Sequence, residues 1–237
     1  MIGTGILLAS YYQPGPTTAY QSVRFITEEV AFGWYIRSLH KWSATFMVAG
    51  VILHQLRVFF TGAYRRPREL NWMIGMGLLL STLIGGFTGY SLVYEQLSFW
   101  GATVASNVAD SVPFLGGFLK RTLLAGDSYN PHTLSRLFVI HAALMPAVMV
   151  ALLFLHIAMV RLHGVSELRF PDDTAAKRHF PFVPDHLFSE IIMGLLLMIV
   201  LSTLALLLPA GMGPMADPLT TPEVIKPEWY FYVAFRW

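Results

Sequence analysis

Apolar residues in this chain come in long runs and do not alternate with polar ones. Neither Trp72–Tyr94 nor Ile191–Leu208 contains a single Asp, Glu, Lys or Arg. Leu137–Val160 is equally free of formal charge, with His141 and His156 as its titratable groups. Segments of this length cross a hydrocarbon core of about 30 Å as helices, because every backbone polar group must be satisfied within the segment. The pattern predicts the tail of a first membrane helix over 1–12 and a surface stretch at 14–33 with a short helix at Ala19–Val30. A second membrane helix runs from Trp34 to Thr61, a basic loop covers 62–71, and a third helix covers 72–94. The connection 95–133, broken by Pro113, Gly116, Gly117 and Pro131, holds two short interfacial helices. A fourth membrane helix follows at 134–162, bent near Pro146. A polar stretch marked by Pro171, Pro181 and Pro184 leads to a fifth helix at 186–208, and the Gly- and Pro-rich loop 209–227 to the start of a sixth. Both ends read as cut, the first inside a helix and the second after about two helical turns, so the chain is read as a fragment of a longer polypeptide.

Composition agrees with a multi-span, integral membrane protein: 55% of residues are hydrophobic and 13% charged, against roughly 25% charged in a soluble domain. The net charge of +2 implies no nucleic-acid surface. Without cysteine there is neither disulfide nor thiolate ligation. Basic residues favour one face. Arg65, Arg66 and Arg68 lie in 62–71, and Arg161, Arg169, Lys177 and Arg178 in 161–185, which places these loops on the negative (cytoplasmic) side. His40, His141 and the 209–227 loop then lie towards the positive side.

Four histidines carry the chemistry. His40 and His54 share the second membrane helix at an interval of 14, and His141 and His156 share the fourth at an interval of 15. On a helix, the first interval advances about 21 Å and returns to within roughly 40° of the starting face, while the second misses it by roughly 60°. Facing helices would present two stacked histidine pairs, each suited to the axial ligation of a b-type haem. The alternative, a hydrogen-bonded core histidine, weakens inside a bilayer, where polar groups are costly and tend to be functional. Arg37 and Arg57 lie one turn from His40 and His54 and suit haem propionates, or else snorkel at helix ends. Gly75 and Gly89, spaced like His40 and His54, would admit a porphyrin plane against the backbone, or else allow close helix packing. Glu228, in Pro227-Glu228-Trp229-Tyr230, is placed to take a proton from a quinol, or else complements a helix N-terminus. Arg161 and His163 follow the fourth helix on the negative side. Arg161 is expected to hold a bound quinone electrostatically and His163 to donate a proton there, with lipid-headgroup anchoring as the alternative for both.

Six motifs together resemble cytochrome b of the cytochrome bc complexes, over essentially the whole chain. They are Arg37-Ser-Leu-His40, His54-Gln-Leu-Arg57, Pro67-Arg68-Glu69-Leu70, Gly89-Tyr90-Ser91-Leu92, Phe99-Trp100-Gly101-Ala102-Thr103-Val104 and Pro227-Glu228-Trp229-Tyr230. The resemblance implies an all-α, multi-span transmembrane bundle with two non-covalent haems b between the second and fourth helices. His40 and His141 would hold the low-potential haem and His54 and His156 the high-potential one. Residues 1–164 would be the dihaem region and 165–237 the start of the C-terminal region. The implied activity is that of the quinone-site subunit of a quinol:cytochrome c (or plastocyanin-like acceptor) oxidoreductase. Quinol would be oxidised on the positive side at Glu228 and Tyr230. One electron would pass to a Rieske iron–sulfur protein and the other through the haems to a quinone on the negative side, coupled to proton translocation. A c-type cytochrome, membrane lipid and a homodimeric complex would complete the surroundings, in a bacterial inner membrane or related energy-transducing membrane. The longer interval on the fourth helix and Phe32-Gly33-Trp34 look like the photosynthetic b6f branch, whereas Phe99–Val104 looks like the mitochondrial bc1 type. The photosynthetic branch also attaches an extra haem through a cysteine of the first helix, a segment mostly ahead of residue 1, so the sequence leaves this haem open. One departure stands out: Val93-Tyr94 replaces the family's usual Pro-Trp, altering a wall of the quinol site. The rivals are another dihaem membrane subunit, which would lack the Pro-Glu-Trp-Tyr loop, and a haem-free transporter or scaffold.

Overall fold

The computed structural model describes residues 1–166 and 181–232, and regular structure among them is helical apart from one isolated antiparallel bridge, Glu95 to Met215. The elements are α1 (Ile2–Ala9), α2 (Ala19–Glu28), α3 (Gly33–Phe60), α4 (Glu69–Ser91), α5 (Gln96–Asp110), α6 (Gly116–Leu124) and α7 (Pro131–Val139). A short π turn, Ile140–Leu144, joins α7 to α8 (Met145–His163). After the undescribed stretch come a turn at Phe182–His186, α9 (Leu187–Leu207) and a 3₁₀ turn at Trp229–Phe231. The expected sixth helix falls mostly on 233–237, outside the described residues, as do Arg169, Lys177 and Arg178.

Among the described residues, four helices are long and apolar enough to cross a membrane: Gly33–Phe60, Glu69–Ser91, Pro131–His163 and Phe182–Leu207. Their ends differ from the hydrophobic runs because polar caps, not apolar side chains, start and stop helices. Asn130 caps α7, accepting from the backbone N–H of His132, and shares a capping box with Thr133, with Pro131 in the first turn. The helix therefore begins ahead of the apolar run at 134. Likewise α4 starts at Glu69, whose carboxylate complements the helix N-terminus. It stops at Ser91, because Tyr94 turns left-handed at φ 55° and Glu95 opens α5 through a capping box with Ser98.

Packing uses small polar residues, as expected where lipid tails are as apolar as leucine. Ser38, Ser81, Thr82, Thr88 and Ser91 are buried between helices, each hydroxyl donating to the carbonyl one turn earlier at 2.6–2.9 Å. In α9, by contrast, only Leu201 and Ala205 are buried, and the rest is an apolar surface fit for lipid. A buried apolar cluster lies at the end of the bundle that receives the loop after α9, where Leu92, Tyr94, Phe99, Leu134 and Leu137 pack with Ala19 and Ala216.

The loop after α9 is stitched to this end by hydrogen bonds. Arg37 donates to the carbonyls of Ala210 (2.6 Å) and Gly211 (2.9 Å), and Trp42 Nε1 to that of Leu208 (2.9 Å). Ser38 Oγ accepts from Ala210 N–H at 2.9 Å, and Glu95 Oε2 from Gly213 N–H at 2.6 Å. Tyr20 OH donates to the Gly213 carbonyl at 2.9 Å, and Gln96 N–H to that of Pro214 at 2.9 Å. This seam carries the chain towards Pro227-Glu228-Trp229-Tyr230.

Candidate functional site

The four histidines meet in two pairs. The His40 and His141 ring centroids are 6.2 Å apart with planes at 72°, and those of His54 and His156 are 6.3 Å apart at 77°. A metal–imidazole bond is about 2.0 Å, and a ring centroid lies roughly 1.2 Å from its ligating nitrogen. Two imidazoles on opposite sides of one metal therefore have centroids about 6.4 Å apart. Both pairs match that spacing.

The unequal histidine intervals, 14 within α3 and 15 from the π turn into α8, reach the same geometry through that turn. An i→i+5 turn accommodates one extra residue without carrying the rest of the helix out of phase. His141 lies within the turn and His156 beyond it, so the roughly 60° mismatch expected of an unbroken α-helix is absorbed. Pro146 follows directly after the turn, at the place where the sequence predicts a bend.

Hydrogen bonds fix the tautomers of the positive-side pair. His141 Nδ1 lies 3.0 Å from the Gly85 carbonyl, which only accepts, so Nδ1 carries the proton; Thr88 Oγ1 is also 3.2 Å away. His40 Nδ1 lies 2.9 Å from Thr4 Oγ1. That hydroxyl spends its own hydrogen on the Met1 carbonyl at 2.9 Å, so it accepts from His40. Both rings thus keep the Nε2 lone pair free as a Lewis base. His156 Nδ1 is buried near the backbone of Asn71 without closing a hydrogen bond.

Glycines line these rings at close range. A Cβ on Gly89 would sit 2.6 Å from His141 Cε1, on Gly75 3.4 Å from His156 Cε1, and on Gly5 3.4 Å from His40 Cε1. Among the described residues no group of three or more His, Cys, Asp or Glu side chains converges as a metal site. The donor set is therefore two imidazoles per level with open backbone beside them, which fits ligation of a b-type haem.

At the level of His40 and His141, Glu228 lies 3.6 Å from the Nζ of Lys41, the residue after His40. Tyr230 packs on α4, where a Cβ on Gly86 would meet its ring at 3.2 Å, and Phe231 meets Phe87 edge-on at 6.2 Å. Burial first, and the Glu228 charge second, push the Tyr230 phenol well above its usual range, so it remains a hydrogen-bond donor. The Tyr90 hydroxyl, buried on the same helix, has no partner among the described residues. Glu228, Tyr230, Gly89 and His141 thus share one end of α4. Arg37, one turn before His40, donates to the Ala210 and Gly211 carbonyls.

At the level of His54 and His156 a pocket is lined by these two residues with Gly75, Gln55, Asn71, Tyr64 and Trp72, and with Arg57 and Arg68 as its cations. Arg68 also donates to the carbonyls of Gly164 (3.1 Å) and Val165 (3.2 Å), closing α4 onto the end of α8. Arg161 is exposed in the last turn of α8 and is not among the lining residues, whereas Arg68 is. His163 Nδ1 is buried without a partner among the described residues, outside the lining. Sequence reading missed Lys41, Tyr90, Arg68 and Thr4 as site residues. Lys41 beside a candidate ligand and Arg68 in its own motif were signals, whereas Thr4 offered none.

The comparisons with known proteins agree with this geometry. The family model described as cytochrome b/b6/petB matches residues 1–164, and cytochrome b(C-terminal)/b6/petD matches 215–237. Cytochrome b6 of Heliomicrobium gestii is 46% identical over 164 residues, 69% of this chain and 77% of that protein. The cytochrome bc complex cytochrome b subunit of Chlorobaculum thiosulfatiphilum is 38% identical over 235 residues, 98% of this chain and 55% of that protein. A solved chain of a hyperthermophilic respiratory Complex III superposes with a TM-score of 0.86 at 30% identity, over 99% of this chain and 65% of that one. The chain thus spans little more than half to two thirds of these last two relatives, and it belongs to the cytochrome b/b6 family of integral, multi-pass membrane proteins.

Proposed function

We propose that this chain is the two-haem quinol-oxidising subunit of a cytochrome bc-type electron-transfer complex. The carrying observation is the pair of facing imidazole sets, one of them beside a carboxylate at the end of α4. When bound, the haems supply one-electron relay between the two membrane faces. His40 with His141, and His54 with His156, hold them; Gly75 and Gly89 leave room beside the rings, and Arg57 supplies a cation. Glu228 takes a proton released from quinol at the positive side, with Lys41 stabilising the carboxylate before transfer. Tyr230, held protonated, orients the quinol oxygen through its hydrogen bond. Arg68 and Arg57 give the opposite pocket the positive charge that a quinone gaining electrons requires. Arg161 acts only from the rim. Quinol and quinone are then the substrates, a Rieske protein and a c-type cytochrome or similar carrier the redox partners, and a homodimer the assembly. We read 1–164 as the dihaem region and 165–237 as the start of the C-terminal region. Pro227-Glu228-Trp229-Tyr230, folded back onto α4, favours this over a dihaem anchor of another complex.

The test is a pyridine haemochrome assay with a redox titration of the full-length protein. Two haems are expected, and replacing His54 or His156 removes the negative-side one alone. One haem or none in a well-folded preparation overturns the reading.

A further inference from the structure

We propose that Thr4 is a positioning residue that lowers the reduction potential of the iron held by His40 and His141. The proposal rests on the two-haem reading and adds a role for α1. Two consecutive residues of α1 meet the His40 ring. Gly5 lets the helix close in, since a Cβ there would stand 3.4 Å from Cε1, and Thr4 Oγ1 reaches Nδ1 at 2.9 Å. Because the Thr4 hydrogen is spent on the Met1 carbonyl, its lone pair is what His40 Nδ1–H meets. The bond fixes the tautomer that leaves Nε2 free. It also draws the Nδ1 proton towards oxygen, so the imidazole gives more electron density to a metal on Nε2. A more basic axial ligand favours the ferric state, with its extra positive charge, over the ferrous state. The proton stays on Nδ1 throughout, and one electron per iron is exchanged with the external couple.

The environment strengthens the effect. Thr4 is partly buried between α1 and α3, where the Met1 carbonyl is the other dipole beside the His40 ring. On the opposite ring His141 Nδ1 bonds the Gly85 carbonyl, so both imidazoles of this level are polarised in the same sense. At the other level His156 Nδ1 closes no such bond among the described residues. Thr4 is the side-chain part of the polarisation at the His40–His141 level, and mutation reaches it where it cannot reach the backbone carbonyl.

The experiment is a potentiometric titration of both haems, followed in the visible spectrum, on the purified full-length complex carrying Thr4→Val, Thr4→Ser or Thr4→Cys. Val keeps the shape and removes the acceptor, Ser keeps the acceptor, and Cys offers a weak one. The positive-side midpoint rises in Thr4→Val and, less, in Thr4→Cys; it stays parental in Thr4→Ser, and the negative-side midpoint does not move in any variant. An unchanged positive-side midpoint in Thr4→Val, a common shift of both haems, or a Ser variant displaced as far as Val overturns the proposal. If Thr4→Val fails to retain the haem, Thr4→Cys decides: a parental midpoint overturns the proposal and a raised one supports it. A parent complex without two haems fails the underlying reading instead, whereas two haems with no shift fail this inference alone.

Discussion

Gly89→Ala isolates the contact between α4 and the His141 ring. The added Cβ would stand 2.6 Å from Cε1, 3.1 Å from Nδ1 and 3.2 Å from Nε2, where an ordinary contact begins at 3.4 Å. The ring would have to withdraw by about 0.8 Å, the difference between 3.4 and 2.6 Å. It is not free to do so, because the Gly85 carbonyl at 3.0 Å and the Thr88 hydroxyl at 3.2 Å hold it to the same helix that carries the new methyl group. Overpacking of this kind costs about 1–3 kcal/mol, and the strained hydrogen bond adds about 1 kcal/mol. Together these weaken haem retention at the positive-side site roughly 30- to 700-fold, at about 1.4 kcal/mol per tenfold. Gly75→Ala is the internal control. Its Cβ would make ordinary contacts with the protein, 3.4 Å from His156 Cε1 and 3.5 Å from Gln55 Nε2, so only the room left beside the ring is reduced and the negative-side haem should be lost less than the positive-side haem is in Gly89→Ala. Haem content by pyridine haemochrome, with reduced-minus-oxidised spectra to tell the levels apart, measures both variants. If Gly89→Ala keeps both haems at parental stoichiometry, or Gly75→Ala suffers the greater loss, the steric reasoning is wrong.

Two further outcomes follow from the ends of the bundle. Glu228→Gln should slow quinol oxidation by about 10²–10⁴-fold, the usual general-base contribution, with both haem spectra intact; unchanged turnover at every pH would return Glu228 to a helix-terminal role. Arg68→Leu should slow reoxidation of the negative-side haem by added quinone more than Arg161→Leu does, since Arg68 lines the pocket and Arg161 does not. Stopped-flow traces with equal rates for the two variants would remove Arg68 from quinone binding.

The spans were legible because a bilayer demands long uncharged runs, and this chain has them. Their ends were less so, because caps lie outside the runs. Asn130 and Pro131 start a helix before its apolar stretch, and the left-handed Tyr94 separates two helices inside an apolar sequence. The histidine pairs could be read from spacing alone, but only one interval fitted an α-helix, and nothing in the apolar pattern at 140–144 announces a π turn. Partners fixed by packing between distant elements stayed hidden. Thr4 reaches His40 across 36 positions and Arg37 the Ala210 carbonyl across 173, distances at which local pattern carries no information. Arg37, one turn from a candidate ligand, also ties down the loop after α9, a contact that no local pattern carries.

The π turn changes what residue counting can measure here. A helix that carries two ligands behaves as a ruler with one slack link, so an inserted residue lengthens the text without lengthening the span. Intervals of 14 and 15 thus bring their histidines to the same ring spacing, and the slack taken up at 140–144 is what lets the longer one do so.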